Sequence, residues 1–259
     1  MTTSRSVFEL LSLNDQRRMY ADLAWTWQII SPPEEYVEEA EGFRQAIDAY
    51  APRPVRSLLD LGCGAGHNDL TLKKYFQVTG VDLSPSMLEL AGRLNPEVTY
   101  QPGDMRSIRL GRRFDAVVIA DSIDYMLNEA DLRAAFQTAL AHLEPGGIFC
   151  TYAEMTPERF QQKDTYCSTS TKGDIEITFV HSFYDPDASD TTYETTFVYL
   201  IRCGGCLEIQ TDRHLAGIFP LETWRRLLAE TGFDVKLILT YEQDPLFVCI
   251  KPADARAQR

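Results

Sequence analysis

Three glycines, at positions 62, 64 and 66, follow the apolar run Leu58-Leu-Asp-Leu61, and Asp60 sits inside that run. Glycine lets backbone approach a ligand closely, so a strand that ends in this loop and leads into a helix can cradle a nucleoside. Asp82 ends the next apolar run, twenty residues past Gly62, where a carboxylate accepts hydrogen bonds from ribose hydroxyls. Spacing separates two ligand classes. The dinucleotide fingerprint G-x-G-x-x-G needs glycine at 67, where this chain has His67. Asp60 instead suits a ligand with an ammonium group, which NAD lacks.

A second group of residues points to a reacting centre. In doubly wound sheets ligands sit beyond the carboxyl ends of the strands, which puts Asp121, Asp124 and Tyr125, after the fourth apolar run, beside the ligand's reactive end. Asp121 could equally cap its loop. Tyr20, Trp25, Trp27 and Tyr36 make the N-terminal segment strongly aromatic. Aromatic faces attract cations, and Tyr20 is the expected ligand contact, whereas Trp25 and Trp27 could simply pack on the core. Of the four histidines, His67 and His142 read as structural. His181 and His214 lie on β-rich runs that could face a pocket, and His214, beside Arg213, is the candidate base, since neutral imidazole accepts a proton near pH 7.

The elements that must position these groups alternate along the chain. The first ~50 residues are helical in pattern, from the apolar stretch at 7–13 through 20–27 to 34–50. Strands are expected at 55–61, 77–82, 98–101, 114–120 and 148–153, with helices between them at about 67–75, from Ser84-Pro85, and at 129–143. Continuous apolar strands alternating with amphipathic helices argue for a mostly parallel sheet covered on both faces. After Thr156 the rhythm changes. Runs at 175–183, 191–202 and 207–214 are rich in Thr, Tyr, Phe and Ile with no helix between them, which predicts an inserted antiparallel sheet. A helix at 221–231 and strands at 233–240 and 246–250, the last antiparallel, complete the expected α/β fold, with a frayed tail from 253. The division is 1–153 and 216–259 for the sheet with its N-terminal helical lid, and 154–215 for the insertion over the reacting centre.

The ordered set resembles the class I S-adenosylmethionine-dependent methyltransferases. Leu58 to Gly66 is similar to motif I, Asp82-Leu83-Ser84 to the ribose motif with Met87 as an adenine wall, and Gly103-Asp104-Met105 to the motif holding the adenine amino group. Phe114-Asp115 and Leu143-Glu-Pro-Gly-Gly147 match later landmarks. The resemblance implies S-adenosyl-L-methionine as cofactor, S-adenosyl-L-homocysteine as product, and Asp60, Gly62, Gly64, Gly66, Asp82, Leu83, Met87, Asp104, Met105, Asp121 and Tyr20 as its contacts. Tyr20, the Tyr36-Val-Glu-Glu-Ala40 helix, Phe179-Val-His-Ser182 and Thr211 to Phe219 resemble the nucleotide-linked amino-sugar N,N-dimethyltransferases. A Trp-rich stretch and Ser31-Pro-Pro33 between Tyr20 and Tyr36 depart from them. The resemblance implies in-line methyl transfer to the nitrogen or oxygen of a small molecule. Tyr36, Asp124, Tyr125, His181 and His214 would face the acceptor, with His214, Tyr20 and Tyr125 the catalytic candidates.

Composition narrows the partners. The net charge of −13 repels nucleic acid and anionic membranes, and no apolar run approaches the ~20 residues of a membrane-spanning helix. No signal-peptide pattern follows the N-terminus, so a cytoplasmic monomer or homodimer is expected. The six cysteines are scattered, and Cys203-Gly-Gly-Cys206 reads as a hairpin turn rather than a metal site. A protein or RNA methyltransferase, a nicotinamide-dependent oxidoreductase and a non-catalytic cofactor-binding protein remain as other readings.

Overall fold

A computed structural model describes residues 15–240 and 244–253. The apolar stretch at 7–13 and the tail at 254–259 lie outside the described residues. From the N-terminus, α1 (Trp27–Ile30) and α2 (Val37–Tyr50) precede β1 (Ser57–Leu61), α3 (His67–Leu72), β2 (Gln77–Asp82), α4 (Pro85–Leu94), β3 (Thr99–Pro102), β4 (Phe114–Ile119), α5 (Glu129–His142) and β5 (Leu143–Tyr152). Four strands follow without an intervening helix: β6 (Thr165–Lys172), β7 (Ile175–Tyr184), β8 (Thr192–Cys203) and β9 (Cys206–Gly217). The chain closes with α6 (Leu221–Thr231), β10 (Asp234–Leu239) and β11 (Pro245–Ile250).

Seven strands form one sheet in the order β10-β11-β5-β4-β1-β2-β3. All are parallel except β11, which runs antiparallel to both β10 and β5. Alternation along β1 sends side chains to opposite faces. Leu59 and Leu61 pack with Phe136, Trp224 and Leu228 of α5 and α6, whereas Leu58 packs with Phe43, Ile47 and Leu72 of α2 and α3. Both faces are therefore covered. Chain order reverses beside β1, with β4 on one side and β2 on the other, and this switch point opens the crevice described below.

The inserted strands make an antiparallel sheet in the order β6-β7-β8-β9. Its inner face buries Ile177, Tyr199 and Ile201 against Met19, Ile29 and Ile30 of the N-terminal segment. The β8–β9 turn has Gly204 and Gly205 at φ 57 and 80, the pair of positive angles that a two-residue hairpin turn requires. No helix among the described residues is long and apolar enough to cross a membrane.

Three elements differ from the expectations. Residues 20–27 form 3-10 turns (Arg18–Tyr20, Ala24–Thr26) and not a continuous helix. The backbone groups a helix would use are claimed elsewhere: Met19 N–H donates to Asp212, and the Tyr20 carbonyl accepts from the Ser84 hydroxyl. Strand β6 carried no signal, because Thr165-Tyr-Cys-Ser-Thr-Ser-Thr-Lys172 is an exposed edge without apolar alternation; its order comes from pairing with β7. Strand β5 starts five residues early, because Gly146 N–H and Gly147 C=O both pair with Lys251 and hold the Pro-Gly-Gly segment extended.

Gly217 ends β9 where the insertion rejoins the main sheet, and a Cβ there would overlap the Met126 carbonyl and meet Phe219 Cε2 at 2.8 Å. Urea unfolding is expected to show Gly217→Ala destabilised by about 1–3 kcal/mol. Gly42→Ala, where a Cβ meets nothing within 4 Å inside α2, should instead gain about 0.5–1 kcal/mol.

Candidate active site

The loop after β1 is pinned to the end of β2. Gly62 and Cys63 N–H both donate to the Val81 carbonyl, at 2.6 and 3.1 Å. The Asp82 carboxylate accepts from Gly64 N–H at 2.8 Å and from Ser84 N–H at 2.7 Å. Ser84 then caps α4, its hydroxyl accepting from Met87 N–H. The result is a crevice of about 390 Å³. Asp60, Gly62, Gly64, Asp82, Leu83, Met87, Asp104 and Met105 line it, together with Tyr20, Trp27, Tyr36, His67, Asp121 and Tyr125. A Cβ on Gly64 would meet nothing within 4 Å, so at φ +52 this residue leaves open space at the floor.

Several buried titratable groups line the crevice. Both ring nitrogens of His67 are buried without a hydrogen-bond partner, whereas the Asp60 carboxyl faces that of Asp69 across a side-chain hydrogen bond. Burial, with the neighbouring carboxyl of Asp69 adding, pushes the Asp60 carboxyl well above the usual range. Burial raises Asp82 as well, against the N–H groups that oppose the shift. Burial likewise lowers His67 to about 4, so its ring is neutral. A ligand with positive charges at one end relieves such carboxyls. At the other end Asp104 is clamped by Arg106, which also reaches Asp131. The donor set thus fits a nucleoside carrying cationic groups.

A second cavity, about 530 Å³, lies beneath the inserted sheet. Phe179, His181, Phe183, Phe197 and His214 contribute from the sheet, and Asp121, Asp124, Tyr125 and Glu154 from the ends of β4 and β5. Tyr20, Trp27, Asp121 and Tyr125 line both cavities, so crevice and chamber meet at these four side chains. There Tyr20 Oη lies 2.8 Å from Tyr125 Oη, which lies 2.7 Å from His214 Nδ1. His214 Nε2 lies 2.8 Å from Asp212 Oδ2. Arg17 stacks over the Tyr125 ring at 4.5 Å. Asp121 is raised by desolvation with the charge of Asp82 adding, and Asp124 is raised strongly by burial, then by Glu154 and Asp121. A third cavity, about 690 Å³, runs between α2 and the β10–β11 edge and also reaches Asp121 and Glu154.

Most of the residues singled out in the sequence converge here, with three corrections. Gly66 does not line the crevice. At φ +74 it packs beneath the loop, where a Cβ would strike Tyr100 Oη and Asn95 Nδ2 at 2.6 and 2.7 Å. Tyr36 does not line the chamber, because its hydroxyl bonds Ser31 at 2.8 Å and its ring packs on His67. His67 is not a satisfied core histidine, whereas His142 is, with Nδ1 donating to Thr138 C=O and Nε2 accepting from Leu110 N–H. Sequence reasoning missed Arg17 and Asp212. Asp212 had a legible signal, since it stands two residues before His214 on one strand and so shares its face.

Comparison with known proteins gives a consistent picture. Residues 58–147 match a methyltransferase domain family. The chain is 30% identical over 207 residues to a dTDP-3-amino-3,6-dideoxy-alpha-D-glucopyranose N,N-dimethyltransferase of Streptomyces fradiae, covering 79% of this chain and 80% of that one. It is 37% identical over 128 residues to a dTDP-3-amino-3,4,6-trideoxy-alpha-D-glucopyranose N,N-dimethyltransferase of Streptomyces venezuelae, 49% of this chain and 54% of that one. Streptomyces venezuelae DesVI superposes with a TM-score of 0.80 at 25% identity over 93% of this chain and 100% of that chain. CalS10, an amino pentose methyltransferase from Micromonospora echinaspora solved with SAM bound, gives 0.75 at 26% identity over 83% and 91%.

Two measurements check this geometry. Calorimetry with S-adenosylhomocysteine is expected to show Gly64→Ala losing at least about tenfold in affinity, ~1.4 kcal/mol, since the methyl stands in the crevice. Burial first, then Asp121, raises Glu39 on α2 from 4.5 to about 7. A carboxyl raised on folding contributes stability below pH 4.5 that is lost as pH climbs to about 7. Thermal melts should therefore show Glu39→Gln gaining on the parent protein above pH 7 relative to below pH 4.5.

Proposed function

Because the chain belongs to the S-adenosylmethionine-dependent methyltransferases, we propose that the acceptor beneath its inserted sheet is a small amino compound of the amino-sugar kind, methylated at nitrogen. When bound, the cofactor supplies a methyl group on a positively charged sulfur for direct displacement by the acceptor. Asp60 and His67 would meet its amino-acid end, Asp82 the ribose, and Met87, Asp104 and Met105 the base. Tyr20, Trp27 and Tyr125 stand where crevice and chamber join and exclude water from the line of transfer.

Magnitudes assign the main effect. Holding two reactants in near-attack geometry supplies roughly 7–11 kcal/mol, whereas a general base contributes ~10²–10⁴-fold. Positioning dominates, and the chamber is built for it. Asp121, Asp124 and Glu154 draw an amine toward the junction, while Phe179, Phe183 and Phe197 offer flat walls to a ring. Proton removal falls to His214 through Tyr125 and Tyr20. The observation that carries the reading is this union of an acidic, aromatic chamber with the crevice at a hydrogen-bonded tyrosine pair. The net charge of −13 and the covered chamber favour a small molecule over nucleic acid.

The test pairs S-adenosylmethionine with nucleotide-linked amino sugars and with their hydroxyl analogues, read by mass spectrometry. The expected product is the amine carrying one or two added methyl groups, with the hydroxyl analogue unchanged. Methylation of the hydroxyl analogue alone, or no amine turnover by protein that binds the cofactor, would contradict the proposal.

A further inference from the structure

Asp212 and His214 are both 1% exposed and sit on the same face of β9. Asp212 Oδ2 accepts from Met19 N–H at 2.6 Å and faces His214 Nε2 at 2.8 Å, and Oδ1 accepts from Arg213 N–H at 2.8 Å. Burial would push this carboxyl up, but the donors from His214 and Met19 outweigh it and hold it below the usual range. An ionised carboxylate only accepts hydrogen bonds, so Nε2 must carry a proton. Neutral His214 then offers Nδ1 as an acceptor, and Tyr125, 2.7 Å away, must donate to it. Tyr125 is left to accept from Tyr20.

We infer that Asp212 is a positioning residue for the transfer: it selects the Nε2–H tautomer of His214 and thereby orients a proton path from the Tyr20 hydroxyl, through Tyr125, to His214 Nδ1. The inference rests on the amine-acceptor reading above. A neutral amine that gains a methyl group becomes an ammonium with one proton to lose. That proton passes to Tyr20 Oη as the Tyr20 proton moves to Tyr125 and the Tyr125 proton to Nδ1. Both tyrosines end neutral, the product amine is neutral, and the proton rests on His214 as an imidazolium that faces the Asp212 carboxylate. Burial raises both phenols strongly, with Tyr125 adding to the shift at Tyr20, so a tyrosinate is avoided and the protons move together.

The charged and titratable surroundings of the path come from every packed element. Arg18 and Asp22 of the N-terminal segment and Tyr199 of β8 act on Asp212. Arg17, Asp121 and Tyr193 act on Tyr125. The uncharged Phe197 ring packs edge-on against His214 at 4.8 Å. Through Met19 N–H, Asp212 also fixes the turn that carries Tyr20, so one carboxylate holds both ends of the path.

Nitrogen-15 spectroscopy of histidine-labelled protein, with His214→Gln assigning the resonance, reads the tautomer without any turnover. The expected result is an Nε2–H His214 in the parent protein and a mixture with Nδ1–H in Asp212→Asn. Asp212→Asn should also lower kcat about tenfold or more, part of a general base's usual contribution. Its KM for S-adenosylmethionine should stay within about twofold. An Nδ1–H His214 in the parent protein would overturn the inference, and so would an Asp212→Asn protein with unchanged kcat. Loss of S-adenosylhomocysteine affinity in proportion to kcat would also overturn it, leaving Asp212 as an anchor of the N-terminal segment. If no amine is turned over, the acceptor reading fails, while the tautomer of the parent protein still decides the role of Asp212.

Discussion

Four hydrogen-bonded side chains, Tyr20, Tyr125, His214 and Asp212, tie together three parts of the chain that share no secondary structure. Tyr20 comes from the N-terminal turns, Tyr125 from the loop after β4, and His214 with Asp212 from the inserted sheet. Every partner is buried or half-buried, so an unmatched group would cost the full desolvation of a polar atom, about 1–3 kcal/mol. The N-terminal segment therefore cannot remain a regular helix. It gives up local hydrogen bonds so that Met19 N–H can reach Asp212 and the Tyr20 carbonyl can reach Ser84. The same two contacts place the Tyr20 ring between the crevice and the chamber.

The second constraint is electrostatic. Asp60, Asp82, Asp121 and Asp124 all stand at the carboxyl ends of β1, β2 and β4, and desolvation raises all four. Such a cluster of desolvated carboxyls is costly by itself and becomes favourable beside cations. A sulfonium and an amino group on one side, and on the other the ammonium formed when the proposed amine acceptor gains its methyl group, are ligands that relieve it. Acidity that looks like a global solubility property in the composition is, at this junction, a local means of selecting charge.

Much of this was legible before the fold was known, because it rests on local rules. The glycine loop, Asp82 and the Ser84-Pro85 helix start are encoded within a few residues of one another, and their strand and helix bounds follow hydrophobic periodicity. The N-terminal turns were not legible, since their backbone is set by Asp212, some 193 residues away. Strand β6 escaped because an exposed polar edge strand is ordered by its neighbour and not by its own pattern. His67 read as a bland histidine because only the packed structure shows both nitrogens buried without partners. Gly66 and Tyr36 illustrate the converse, since their types suit a ligand while their tertiary neighbours, Tyr100 with Asn95 and Ser31, already occupy them.

The most direct test of the central claim is a crystal structure with S-adenosylhomocysteine and an amino-sugar acceptor bound together. The account predicts the cofactor's sulfur at the junction lined by Tyr20, Trp27, Asp121 and Tyr125, with the acceptor nitrogen approaching it from beneath the inserted sheet. A sulfur directed toward Asp104, or an acceptor seated in the cavity between α2 and the β10–β11 edge, would contradict it.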